Sequence, residues 1–124
     1  MTFVISGMLL LASAPAELPS AFQAAEAIWK ASKDLPEYQT YSSEFIKFNN
    51  QFQLDTRDGC YALGKEIVGL MLVVTSRDSG RFAVVEQVLS GVDSEKARCF
   101  MKSYKGIRLL APPFNPFVLQ MTMD

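Results

Sequence analysis

A nearly continuous apolar run, EIVGLMLVVT at positions 66–75, constrains the fold more than any other part of the sequence. Its β-branched residues predict a strand, and the lack of polar alternation predicts that both faces of that strand are covered. The run RFAVVEQVL at 81–89 follows after the short connection SRDSG, which contains Gly80. The two runs therefore predict a β-hairpin.

A short helix is predicted after the hairpin. Asp93 or Ser94 is a suitable N-cap, the helix runs through Tyr104, and Gly106 ends it. The connection IRLLAPPFNPF at 107–117 contains three prolines and cannot be a central strand.

The chain from Phe117 to Asp124 alternates between two sets of residues, which predicts a final strand with one buried face. The inward set is Phe117, Leu119, Met121 and Met123, and the outward set is Val118, Gln120 and Thr122. If this strand lies at the edge of the sheet, its outward residues accompany a free backbone edge.

Two helices are predicted before the hairpin. The first begins with a capping box formed by Ser20 and Gln23, and Pro36 breaks it. In the second, Asn49 and Asn50 are expected to end the helix before the turn segment QLDTRDGCY. Its aromatic residues recur at helical spacing, which indicates either a core contact against the sheet, the favoured interpretation, or an exposed docking surface: Tyr38, Tyr41, Phe45, Phe48 and Phe52.

The fold class is therefore α+β, with two helices, a hairpin, a helix and a final strand in an antiparallel three-stranded sheet. A chain of 124 residues with 49% hydrophobic residues is expected to form one domain. We assign residues 1–16 to a signal peptide and 17–124 to a single exported domain, with a helical segment at 17–56 and a ββαβ unit at 60–124.

The signal peptide is inferred from the apolar run from Phe3 to Leu11 and the Ala14-Pro15-Ala16 triplet, which is typical of a cleavage site after Ala16. No Lys or Arg precedes the run. The alternatives are a start further upstream or an ordinary buried element. The run is too short for a stable membrane span.

Export would place the two cysteines in an oxidising compartment. Cys60 and Cys99 are an even count, which favours a disulfide in an oxidising compartment over two separate buried thiols. On a helical wheel Cys99 lies on the polar side of its helix, where a buried free cysteine is not expected.

Composition makes several function classes less favoured. Histidine is absent and the net charge is −1, so histidine-based catalysis is excluded and binding to nucleic acid is not expected. The cysteines lack metal spacing, and no cofactor is predicted. Carboxylates are the remaining candidates for catalysis, although a solvated surface explains them better: Glu26, Glu44, Glu66 and Glu86.

The last 60 or so residues resemble the C-terminal domain of TonB-type energy transducers in their order of elements. The features that carry the resemblance are Gly80 in the hairpin, the helix start at Asp93 and Ser94, the prolines and the final strand: Pro112, Pro113, Pro116 and the strand after Phe117. The resemblance implies a location in the bacterial periplasm. It also implies that the last strand offers its edge to an extended segment of a protein or peptide partner, such as an outer-membrane or envelope protein.

The leading hypothesis is thus an exported, non-catalytic binding domain in which Val118, Gln120 and Thr122 contact the partner. The alternatives are a periplasmic inhibitor or immunity-type protein, and a carboxylate-based hydrolase acting on cell-wall material.

The signal peptide makes a direct prediction. Material secreted by the native host should begin at Glu17, because cleavage follows Ala16. Intact-mass measurement of the secreted protein tests this, and retention of Met1 would make the apolar run part of the mature protein.

Overall fold

The structure, a computed structural model, describes the backbone of residues 13–124 and the side chains of 20–51 and 59–124. The apolar run of the predicted signal peptide lies outside the described residues. The described elements are three α-helices and four strands in the order α1 (Ser13–Ser32), α2 (Pro36–Cys60), β1 (Val68–Arg77), β2 (Phe82–Ser90), α3 (Glu95–Tyr104), β3 (Arg108–Leu109) and β4 (Phe117–Met123).

The four strands form one antiparallel sheet in the order β3-β2-β1-β4. The α+β class is confirmed, and the predicted hairpin is β1 and β2. The sheet has one more strand than predicted, because two residues of the proline-containing connection pair with Ala83 and Val84 at the edge of β2. Proline is tolerated beside such an edge, where one side of the backbone needs no partner.

The sheet is covered on both faces, as the apolar run at β1 predicts. One face carries Leu70, Leu72 and Val74 and packs against α2 and α3. The opposite face carries Met71 and packs with Leu89 and Val118 against α1. Each face thus has its own apolar cluster, and β1 contributes to both.

The hairpin connection and α3 have the local chemistry that the sequence predicts. The chain turns through positive φ angles of 51°, 56° and 84° at Asp78, Ser79 and Gly80, a conformation that glycine adopts without strain. The Ser94 hydroxyl accepts a hydrogen bond from the Ala97 backbone N–H at 3.1 Å, which confirms Ser94 as the N-cap.

Both N-terminal helices are longer than predicted. Helix α1 begins at Ser13 rather than at Ser20, and α2 continues to Cys60 rather than ending at Asn49–Asn50. Asn49 does not cap the helix, because its side chain is buried and accepts a hydrogen bond from the Tyr104 hydroxyl of α3. A tertiary contact thus overrides the local preference of asparagine for a helix end.

The predicted disulfide is confirmed. Cys60 at the end of α2 is bonded to Cys99 on α3, with 5.4 Å between the Cα atoms and 39 residues of separation. The bond holds the last turn of α2 beside the outer side of α3. For a loop of this size, the loss of unfolded-state entropy stabilises the fold by about 4 kcal/mol.

Lys96 joins α3 to the chain just before β1 and just after β4. Lys96 is only 1% exposed. Its ammonium donates to the main-chain oxygens of Glu66 at 2.6 Å and Asp124 at 3.4 Å, and it lies 5.5 Å from the centre of the Tyr61 ring. A buried cation needs such partners, so this residue fixes where α3 begins relative to the sheet.

The disulfide predicts a simple stability result. Cys60→Ser and Cys99→Ser should each lower the free energy of unfolding by about 4 kcal/mol, and the double variant should lose no more than either, because all three lack the same bond. Urea denaturation measures these changes. The control is the wild type with and without reductant, and the reduced protein should show a similar loss of stability. Additive losses in the double variant would contradict a shared bond.

Candidate functional site

The structure places β4 at one edge of the sheet, beside β1. Gln120 and Thr122 are exposed there, in agreement with their predicted outward direction. Val118 is not, and the prediction that it faces outward is wrong: it is 0% exposed because α1 covers its face of the sheet. The final strand therefore has two buried faces along its first half.

The pair α1–α2 also covers the edge of β4. A short turn, with a backbone hydrogen bond from Leu35 N–H to Ser32 oxygen, joins the two helices. On one side of β4 the residue Ala25 of α1 packs with Val118, and on the other side Tyr38 of α2 stacks on Phe117 with 4.9 Å between ring centres. The two helices therefore lie on opposite faces of the sheet and pass around this edge.

Tyr38 and Trp29, from the two helices, both lie near Gln120 of β4. Burial raises the pKa of Tyr38, while hydrogen bonds to its oxygen from the Gln120 backbone and the Trp29 side chain act in the opposite direction. Of the three predicted contact residues, Gln120 and Thr122 thus have exposed side chains and Val118 does not.

The opposite edge of the sheet, at β3, has outward-facing backbone groups. The Val85 N–H donates to the Ile107 oxygen at 2.9 Å, and Leu109 is the next residue paired in register, with Ala83. Backbone groups alternate in direction along a strand. The N–H and C=O of Arg108, between Ile107 and Leu109, therefore point away from the sheet.

An apolar groove lies between this edge and α2, with a cavity volume of about 640 Å³. Two of its apolar residues are well exposed: Leu110 at 74% and Phe48 at 40%. The lining residues on α2 are Tyr41, Glu44, Phe45, Lys47 and Phe48, and those at the sheet edge are Phe82, Arg108, Leu109 and Leu110.

Tyr41 ties the two walls of the groove together. Its hydroxyl donates to the Leu110 oxygen at 2.6 Å, and its ring meets Phe117 edge-on at 4.7 Å. Burial raises the pKa of Tyr41 to about 12. The hydroxyl therefore stays protonated at physiological pH and keeps the chain after β3 attached to α2.

The described groove lining has two positively charged side chains and one negatively charged side chain. Glu44 and Lys47 pair with each other at 3.3 Å. The Arg108 guanidinium lies 3.7 Å from the centre of the Phe82 ring, and among the residues whose side chains are described no carboxylate forms an ion pair with it. Among the described side chains, the guanidinium beside Phe82 is therefore without an acidic partner.

The carboxylates considered for catalysis are divided among separate polar contacts. Glu86 accepts hydrogen bonds from Thr75 at 2.6 Å and Arg77 at 3.2 Å, and these partners lower its pKa, the Thr75 hydrogen bond most. The pKa of Glu66 is lowered chiefly by a hydrogen bond with the Ser94 side chain. Within the described side chains no group of three His, Cys, Asp or Glu residues could hold a metal ion.

Sequence reasoning found one wall of the groove and missed the other. The aromatic spacing of α2 correctly indicates a face directed at the sheet, since Tyr38 and Phe45 are buried. The Phe52 side chain of that pattern lies outside the described residues. Arg108 and Leu110 lie in a proline-containing connection that carries no periodic pattern, so only the chain topology brings them to α2.

No protein-family model, curated protein or solved structure matches this chain. None of the helices that the structure describes has an apolar stretch long enough to span a lipid bilayer.

Tyr41 predicts how stability depends on pH. Its folded pKa of about 12 exceeds the ordinary value of 10.0, so between these pH values the folded state keeps a proton that the unfolded state has lost. The free energy of unfolding should therefore fall as pH rises through this window. Urea denaturation at pH values of about 9 and 11 measures the loss, which Tyr41→Phe should reduce.

The same variant has a second expected effect. At a pH of about 9, Tyr41→Phe should lower stability by about 1 kcal/mol, because the Leu110 oxygen loses its donor. An unchanged loss of stability between the two pH values in Tyr41→Phe would contradict the assignment to this hydroxyl.

Proposed function

We propose that this protein is an exported, non-catalytic domain that binds an extended segment of a protein or peptide partner by strand addition. The observation that carries the proposal is the position of the groove. It lies between a strand edge with outward-directed backbone groups, at Arg108, and a helix wall, at Tyr41 and Phe48. An extended segment placed there can pair with β3 and bury side chains against α2.

The energetics of such a contact suit a short segment. The outward N–H and C=O of Arg108 supply two backbone hydrogen bonds, each worth about 1 kcal/mol. Covering Leu110 and Phe48 removes exposed apolar surface from water, at about 25 cal/mol per Å². Pro112 and Pro113 follow β3 closely and have no N–H to offer, so the pairing stays short.

One structural observation and one prediction from the sequence support export. The Cys60–Cys99 disulfide is a bond that persists in oxidising compartments, such as the bacterial periplasm or the cell exterior. The predicted signal peptide agrees with this location. An outer-membrane or other envelope protein is then a suitable source of the bound segment.

The TonB-like interpretation is retained in a changed form. The resemblance to that family implies that a partner binds along the last strand, which is β4 in this chain. The packing of α1 on Val118 and of Tyr38 on Phe117 makes β4 the less suitable edge in this chain. We therefore assign strand addition to β3, with Thr122 and the exposed end of β4 as the alternative.

A peptide selection tests this function. Linear random decapeptides displayed on phage are selected against the intact, disulfide-bonded domain, and the selected peptides are synthesised and titrated by calorimetry. Leu110→Ser should weaken their binding several-fold, because the variant removes an exposed apolar side chain from the groove. Ile67→Ser is the matched control, since Ile67 is another exposed aliphatic residue, at 63%, outside the groove lining.

Amide hydrogen exchange identifies the edge that is used. Bound peptide should slow exchange at the Arg108 N–H, as a new backbone hydrogen bond requires. Slowed exchange at Thr122 instead would assign binding to β4. Peptides that bind equally well to wild type, Leu110→Ser and Ile67→Ser, or a selection that yields no binder, would contradict the groove as the binding site.

A further inference from the structure

We infer that the segment bound in this groove carries a carboxylate side chain between two bulky apolar residues, and that Arg108 recognises the carboxylate. This inference rests on the proposed function and specifies the chemistry of its ligand.

The first step is the state of Arg108. The central carbon of its guanidinium lies 3.7 Å from the centre of the Phe82 ring, a cation–π contact that restrains the planar group. Each of the three other arginines whose side chains are described forms an ion pair with a carboxylate: Arg77 with Glu86, Arg81 with Asp78 and Arg98 with Asp93.

The second step is the charge of the surroundings. Among the described lining residues Glu44 is the single carboxylate, and it is paired with Lys47 at 3.3 Å. One positive charge, that of Arg108, is therefore left over among the lining residues. A ligand carboxylate would complement it, whereas a ligand cation would face a net repulsion.

The third step is register. If the outward backbone groups of Arg108 pair with one ligand residue, that residue lies directly opposite and shares the face of the Arg108 side chain. The ligand residues before and after it project to the other face, where α2 and Leu109 provide apolar surface. The predicted ligand pattern is therefore apolar, acidic, apolar.

The peptide selection described above also tests this pattern. Against wild type, selected peptides should be enriched in Asp or Glu flanked by apolar residues. Replacing that Glu by Gln in a synthetic peptide should weaken binding about fivefold, the effect of an opposite-charge cross-strand pair. Raising the salt concentration should reduce the difference.

Arg108→Gln should remove the preference for Glu over Gln while leaving binding of the Gln peptide in place. Arg81→Gln is the matched control, because Arg81 is an exposed arginine outside the groove lining. Groove-dependent peptides without acidic enrichment, or a Glu preference that survives Arg108→Gln, would overturn this inference and leave the proposed function standing. A selection against wild type that yields no groove-dependent peptide would instead overturn the proposed function.

Discussion

Burial of β1 on both faces is the requirement on which the rest of this structure depends. Its residues Leu70 and Leu72 enter one apolar cluster, and Met71 between them enters the other. A chain this short has only a few helices with which to cover two faces. It meets the requirement by placing α1 on one face and α2 and α3 on the other. Because α1 and α2 are consecutive, their connection must pass around an edge of the sheet, and that edge is β4.

The position of α2 follows from contacts at both of its ends. Near its start Tyr38 is stacked on Phe117, and its last residue is covalently joined to Cys99. Between these points Tyr41 and Asn49 bind the chain after β3 and the end of α3. A helix fixed in this way gives the groove a preformed wall. Binding to a preformed surface loses less conformational entropy than binding that must order the site first.

The sequence predicts the elements whose signals are local and fails where distant residues decide. The apolar runs of β1 and β2 and the Ser94 cap of α3 have their predicted structures, since strand patterning and capping depend on near neighbours. The extension of α2 past Asn49 depends on Tyr104, which is 55 residues away.

The burial of Val118 likewise depends on α1, whose place on the second face has no signal in β4 itself. The same limit applies to Lys96. A lysine in a helix is ordinarily read as a surface residue, and only the meeting of the ends of β1 and β4 supplies the oxygens that make its burial possible. The groove shows the same limit. Its α2 wall has a periodic aromatic pattern that the sequence reveals, whereas its other wall is an irregular connection without such a pattern.

The two sheet edges also bear on how this chain avoids joining copies of itself. An open strand edge is a template on which identical chains can stack into extended sheets. Here the pair α1–α2 covers the edge at β4. At the other edge β3 is two residues long and is followed by prolines. Stacking into a fibre needs two complementary edges on every copy. With one edge covered and the other short, the described sheet does not offer two such edges.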